Sequence, residues 1–343
     1  MKILVYESGQ TGGTTYPLKD AFETLGHSVT IFDWQKYLYT HTRRSLYNRV
    51  RDKFLFVRTA ARINADLREL LSSESYDLLL VVRGDHVYAE TIRMAQERGA
   101  KTATWSSDDI FNPLNSTKHI LRAFRQYDRV FSPRAQLREE YLAKGARSFE
   151  VIDWYYRSGL LFDRPSLAAR AYSYDIGFIG SWSPRREKLL GALEGLDLHI
   201  WGWGWAQKAH KNFFARNNFH GQVSMAEMME LFARTKINVN ILTQENRDTT
   251  NLRNFEVPAA GAFQLSERSN EVLGLFVEGK EIACFGSAEE LLSASRRYLN
   301  DDASREAVAI AGYDRLVNGN HGIVDRARQI AAWAARPRNP GAR

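Results

Sequence analysis

The feature that most constrains this chain is an alternation of apolar runs with helical segments that starts at its first residues, pauses, and starts again. Lys2–Tyr6 reads as a buried strand. Gly9, Gly12 and Gly13 follow, Pro17 stands just inside a helix that ends at Gly26, and His27–Phe32 reads as a second strand. Strand, glycine-rich turn, helix and strand form the opening unit of a doubly wound sheet. Asp77–Val82, Lys101–Trp105, Arg129–Phe131 and Phe149–Ile152 continue as strands, with a helix over Tyr88–Arg98. Strands that alternate with helices predict a parallel sheet with right-handed crossovers. After a looser stretch, Tyr155–Tyr172, which holds Gly159 and Pro165, the pattern resumes. Its strands are expected near Asp175–Ile179, Asp197–Trp201, Lys236–Ile241, Ala262–Leu265 and Ile282–Phe285. Helices are expected near Pro184–Leu190, Ala226–Ala233, Asn254–Ala259, Ala288–Leu299, Ala303–Asn318 and Val324–Ala335. The reading is therefore α/β, with two Rossmann-like domains over residues 1–160 and 173–323 and an unordered tail at 336–343. A length of 343 residues accommodates two such cores.

Composition narrows the class. Apolar residues make up 44% and charged residues 25% of the chain, the balance of a soluble globular protein. No apolar run approaches the roughly 20 residues needed to span a bilayer, and the first residues read as a strand and not a signal peptide. The single cysteine, Cys284, allows no internal disulfide and no cysteine-cluster metal site. These points predict a cytoplasmic protein. The net charge of +7 is partly local. His41–Arg68 carries Arg43, Arg44, Arg49, Arg51, Lys53, Arg58, Arg62 and Arg68 against Asp52 and Asp66, with Leu46, Val50, Phe54 and Val57 at helical spacing. Such a basic amphipathic helix either turns its apolar side to the core and its charges to water, or docks residues 43–62 on an anionic surface such as lipid head groups at the inner face of a membrane.

The densest polar motif is Arg247-Asp248-Thr249-Thr250-Asn251-Leu252-Arg253-Asn254-Phe255-Glu256, which runs into Val257-Pro258-Ala259-Ala260-Gly261. Two carboxylates, Asp248 and Glu256, are separated by seven residues, and two arginines flank a helix start. Arg247 and Arg253 are forks suited to phosphate oxygens. Asn254 or the backbone before Glu256 opens a helix whose free N–H groups attract an anion. Glu256 suits a vicinal diol such as a ribose. An ordinary helix start with a surface ion pair would use the same residues.

This motif resembles the donor-site motif of glycosyltransferases with two Rossmann-like domains facing each other across a cleft, the GT-B fold. Asp248 falls where those enzymes usually carry Glu, and Glu256 falls on their second acidic position. Residues 261–267, 275–281 and 287–291, together with Tyr174–Ser181 and Arg185-Arg186, resemble more narrowly the spore-maturation-type, CgeB-like branch. The resemblance implies a nucleotide-diphosphate sugar donor bound by the second domain, an acceptor bound by the first, and helix 324–335 packed back on the first. It implies no cofactor and no metal, in keeping with the lack of any metal-ligand spacing; helix ends and arginines then stabilise the leaving diphosphate. The acceptor would be a carbohydrate, a lipid-linked sugar, a protein or a small metabolite, with no nucleic-acid partner.

Other candidates follow strand ends. Gly180, Ser181 and Arg185 open a helix and suit a diphosphate, Gly202 and Trp203 suit a sugar or base, and Asn240 ends a strand. On the acceptor side, Glu7, Gly9, Gly12 and Gly13 form a glycine-rich loop without the Gly-x-Gly-x-x-Gly spacing of dinucleotide sites. Asp108, Asp109 and His86 are the candidate catalytic bases, with helix capping and structural packing as the competing roles. The rival to an enzyme is a non-catalytic nucleotide- or sugar-binding protein of the same fold.

Overall fold

The computed structural model describes residues 1–8, 17–42, 46–164 and 171–337. The chain divides into two compact units. The first comprises residues 1–153, 245–247 and 323–343; the second comprises residues 154–244 and 248–322.

The first unit is built on six strands: β1 (Lys2–Glu7), β2 (Ser28–Asp33), β3 (Leu78–Val82), β4 (Lys101–Trp105), β5 (Arg129–Ser132) and β6 (Phe149–Val151). They pair in the order β2-β1-β3-β4-β5-β6, all parallel. Every residue of β3, Leu-Leu-Leu-Val-Val, is buried, as both faces of a central parallel strand must be. Helix Phe56–Ser73 covers one face through Ala60, Ile63, Leu67 and Leu71, the stripe that a 3.6-residue period aligns. Helix Ile323–Ala335 packs against helix Pro17–Thr24 and sets the Trp333 ring 5.4 Å from Phe131.

The second unit has β7 (Tyr174–Ile179), β8 (Leu198–Trp201), β9 (Asn218–Phe219), β10 (Thr235–Asn240), β11 (Gln264–Glu267) and β12 (Ala283–Phe285). Read from β9, its order is β9-β8-β7-β10-β11-β12, the Rossmann arrangement, again all parallel. In each sheet the winding reverses once. The reversal lies between β1 and β3 in the first unit and between β7 and β10 in the second, and ligands of open α/β sheets bind beyond the strand ends at that point.

Three differences from the sequence reading have plain causes. The stretch read as loose opens on buried residues: Tyr156, with Trp154 just before it, packs in the second unit's core with Phe232 and Phe255, while residues 165–170 lie outside the described residues. Strand β9 is only two residues long, too short for a periodic signal. Val50, Phe54 and Val57, read as facing the core or an anionic surface, point into solvent and leave the core-facing alternative without support. The glycines Gly9, Gly12 and Gly13, the arginines Arg43 and Arg44, and residues 338–343 of the expected tail lie outside the described residues. Cys284 is buried, and burial pushes its thiol up to about 12, which makes it unreactive.

Because Trp333 is nearly enclosed, Trp333→Ala should cost the first unit about 3–5 kcal/mol of stability. Urea unfolding followed by circular dichroism would measure it; a loss under about 1 kcal/mol would mean the helix is only lightly docked.

Candidate functional site

In the second unit, the ends of β7, β8, β10 and β11 converge on one polar edge. Gly180 follows β7 and Gly202 follows β8. A Cβ on Gly202, whose φ is +141°, would lie 2.0 Å from the Gly180 carbonyl oxygen. Only glycine permits that approach. The two loops are tied further by Gly180 N–H to the Trp201 carbonyl at 2.9 Å and Trp182 N–H to the Trp203 carbonyl at 2.8 Å. Buried Trp205 donates its indole N–H to the Gly180 carbonyl at 2.8 Å. Trp203 itself is half exposed, with Lys208 Nζ 4.7 Å from its ring centre.

Ser183 caps helix Pro184–Leu190 and sends Arg185 and Arg186 to different partners. Arg185 forms a two-pronged pair with Glu267 at the end of β11, and Glu267 also accepts the Leu242 N–H at 3.0 Å. Arg186 spans the reversal point. It donates to the Ser181 carbonyl at 2.9 Å and Ser181 Oγ at 3.1 Å on one side, and to the Ile241 carbonyl at 3.1 Å and Thr243 Oγ1 at 2.9 Å on the other.

Glu256 sits on helix Arg253–Ala259 and is 2% exposed. Its Oε2 pairs with the Arg253 guanidinium, which also reaches the Ile179 carbonyl at the end of β7 at 3.3 Å. Its Oε1 is shielded and has no hydrogen-bond partner. A buried carboxylate oxygen without a partner costs of order 1–3 kcal/mol and marks a site with a reason to keep it.

Not every expected donor residue lies on this edge as a free ligand group. Asn240 and Asn254 spend their amides inside the protein. Asn240 exchanges hydrogen bonds with Asn251 at 3.1 and 2.9 Å, and Asn254 donates to Ser266 Oγ at 3.1 Å and accepts from Asn251 N–H at 3.0 Å. They hold the segment before Arg253 against β10 and β11. Asp248 N–H bonds to the Thr243 carbonyl at 3.0 Å.

Arg247, expected among the donor residues, falls in the first unit. Residues 245–247 belong to the first unit, where Arg247 grips the buried Asp109 with both prongs, at 2.7 and 2.9 Å, and Glu140 at 2.8 Å. Arg134 and Gln136 hold the same segment by its backbone carbonyls, and Asn246 donates to Asp108 at 3.1 Å. Neighbours in sequence thus serve different units.

The candidate bases are also placed. Asp109 is buried, which raises a carboxyl, but the Arg247 bonds and the Phe111 N–H outweigh burial and hold it below the usual range. Asp108 is bound by Arg83 at 3.1 Å as well as by Asn246. His86 is buried between Trp34 and Phe56, with ring centres at 5.3 and 4.8 Å. Burial, with the nearby His119 and Arg83, pushes its imidazole down to about 4. Asp109 is thus held by Arg247, Asp108 is bridged by Arg83 and Asn246, and His86 is walled in by aromatic rings.

The residue that sequence reasoning passed over is Asp85, three places beyond the end of β3 at the first unit's reversal point. Arg83 (φ +64°) and Gly84 (φ +83°) turn the chain there through left-handed backbone. Arg83 Nε lies 2.7 Å from Asp85 Oδ2. Burial nonetheless lifts the Asp85 carboxyl above its usual range; Arg83 opposes this and the charge of Asp108 adds to it. Glu7, at the end of the neighbouring β1, is buried in the same region. The available signal was position, a carboxylate just past a fully apolar strand, and the same loop's His86 drew attention from it. For Arg186 an exposed arginine on a capped helix was an equal reading, because Ser183-Pro184 marks a helix start but does not say which of two adjacent arginines faces the strand ends. Among the described residues, no group of three or more His, Cys, Asp or Glu is arranged to hold a metal.

With this geometry the chain can be compared with known proteins. The model of the glycosyl transferase-like family matches residues 185–332. No curated protein matches by sequence. Among solved structures, sucrose-phosphate synthase from Thermosynechococcus elongatus aligns with a TM-score of 0.69 at 14% identity, over 97% of this chain and 98% of that one. Anabaena HepE in complex with UDP-glucose aligns at 0.65 and 16% identity, over 97% and 99%. A trehalose-6-phosphate synthase, studied for glycosyl transfer with retention, aligns at 0.66 and 13% identity, over 98% and 100%. The fold is GT-B. Its two Rossmann-like domains are the two units described above, and the family match lies almost wholly in the second GT-B domain.

Two outcomes test the placement. Arg247→Ala leaves the buried Asp109 charge without its main partner and should cost the first unit about 2–4 kcal/mol in urea unfolding, with nucleotide affinity kept. Lost affinity at unchanged stability would return Arg247 to the donor site. For His86, the folded group binds its proton more weakly than the unfolded chain's ordinary histidine. Between the ordinary value and about 4, the unfolded state therefore carries the extra proton, so stability is complete above that window and falls as pH drops through it. The loss should be of order 2–4 kcal/mol by pH 4. His86→Phe should flatten that slope in pH-dependent melting; an unchanged slope would show that other groups produce it.

Proposed function

We propose that this chain is a glycosyltransferase that moves a sugar from a nucleotide-diphosphate sugar to an acceptor hydroxyl, with the second unit as donor domain and the first as acceptor domain. The observation that carries this reading is Glu256: a buried carboxylate with one oxygen on Arg253 and the other without a partner, at the reversal point of a Rossmann-ordered sheet. A carboxylate in that state suits the two hydroxyls of a ribose. Arg253, Arg186 and Arg185 bring positive charge to the same edge, where a diphosphate leaving group develops negative charge as the glycosidic bond breaks. Gly180 and Gly202 let backbone approach it closely.

The similar structures support this choice of ligand, since one of them is a complex with UDP-glucose. The sequence resemblance through Tyr174–Ser181 and residues 261–291 supports a place in the CgeB-like, spore-maturation-type branch. On the acceptor side Asp85 is the carboxyl best placed to receive a proton, because burial holds it above the usual range, whereas the Arg247 bonds hold Asp109 below it. A nucleotide-sugar donor and a single buried cysteine suit a cytoplasmic enzyme. No helix among the described residues is long and apolar enough to cross a membrane.

The experiment is calorimetric titration with nucleoside diphosphates. Glu256→Gln keeps the shape of the side chain and removes its charge, so affinity should fall roughly 10–100-fold, as expected for one or two charge-assisted hydrogen bonds. Unchanged affinity in a folded Glu256→Gln protein would remove the donor assignment. Slow hydrolysis of a bound nucleotide sugar by the wild type separates an enzyme from a binding protein, which would hold the ligand without turnover.

A further inference from the structure

The basic segment of the first unit is built inside out. In helix Leu46–Phe54 the polar residues face inward: Asp52 accepts the backbone N–H groups of Tyr39 and Thr40 at 2.8 and 3.0 Å, and Asn48 donates to the Tyr39 carbonyl at 3.1 Å. The apolar residues face outward. Tyr47 is 70% exposed, Val50 46% and Phe54 84%, and the row continues past Leu55 onto the next helix with Val57 at 69%. No other part of the described surface gathers so many large exposed apolar side chains in so few residues. Arg49, Arg51, Lys53, Arg58 and Arg62 are exposed around them. None of these five forms an ion pair among the described residues; Arg51 lies over the Tyr39 ring at 3.6 Å, which shields one face of that aromatic and keeps the charge outward.

We infer that this surface docks the protein on an anionic lipid bilayer. An ordinary surface helix of a soluble protein turns its apolar stripe to the core; here polar side chains hold the inner face and leave the stripe to water. Basic residues alone would suit any polyanion. Projecting Phe54, Val57, Val50 and Tyr47 add what a polyanionic glycan or a nucleic acid cannot receive, side chains that gain by entering an apolar phase. An interfacial helix combines both, with apolar tips at the acyl boundary and arginines among the head groups. The row bends at Leu55, where helix Leu46–Phe54 ends and helix Phe56–Ser73 begins. A bilayer surface accepts the bend. The inference does not depend on the transferase reading, and its test separates the two.

The full chain is sedimented with phosphatidylcholine vesicles and with vesicles that also contain phosphatidylglycerol. It should bind the anionic vesicles only, and salt should release it, since screening shortens the reach of each charge. Arg51→Glu with Arg58→Glu should weaken binding by at least roughly fivefold per residue. Phe54→Ser with Val57→Ser leaves the charge unaltered and should weaken it as well. Both pairs lie on exposed positions, and thermal melting followed by circular dichroism, expected to be unchanged in both, reports that each variant is folded. Absence of wild-type binding to anionic vesicles at low salt overturns the inference. So does binding by the Phe54→Ser, Val57→Ser protein equal to wild type, which would leave a surface for polyanions without insertion.

Discussion

In each half of this protein the chain leaves two adjacent parallel strands in opposite directions, and the rest of the site follows from that. Between β1 and β3, and between β7 and β10, successive crossovers turn away from each other, so the carboxyl ends of the central strands are left without a covering connection. A hydrogen-bonded edge left open in this way must be completed by loops and side chains. The second unit completes it with glycine. Gly180 and Gly202 press their backbones together, and Arg186 bonds to main chain on both sides of the reversal.

Charge is held on these edges by pairing each carboxylate with an arginine fork. Glu267 takes Arg185, Glu256 takes Arg253, Asp109 takes Arg247 and Asp108 takes Arg83. The pairs differ in how much they still offer. Asp109 is fully engaged by Arg247 and by backbone, so its role is to anchor the segment 245–247 within the first unit. Glu256 has an unengaged oxygen, and Asp85 keeps a raised proton affinity beside its arginine. A desolvated carboxylate that remains incompletely satisfied is unfavourable for folding, and such groups concentrate where a ligand or a proton is to be received.

The first sheet was legible in the sequence because a central parallel strand is apolar on both faces, as Leu78–Val82 is; β10 was legible through Ile237 and Val239, with Asn238 and Asn240 on its other face. The polar edge of the second sheet was legible in part, through the glycines after β7 and β8 and through Glu256. Two things were not. Periodicity gives the spacing of an apolar stripe but not the direction in which it points, and at Val50, Phe54 and Val57 the direction goes with Asp52 accepting the N–H groups of Tyr39 and Thr40 and Asn48 donating to the Tyr39 carbonyl. Adjacency in sequence also does not say which unit a side chain serves. Arg247 stands next to Asp248, yet its partners, Asp109 and Glu140, come from elements more than a hundred residues earlier. Pairing of this kind is tertiary, and no local pattern encodes it.

The central claim is that the β7–β10 reversal point is a nucleotide-sugar site built around Glu256. A crystal structure of the protein with UDP tests it most directly. The account predicts the ribose against the Glu256 carboxylate and the diphosphate beside Gly180, Ser181 and the Arg185–Arg186 turn. Density for the nucleotide at another place on the protein, with Glu256 still bonded only to Arg253, would contradict it.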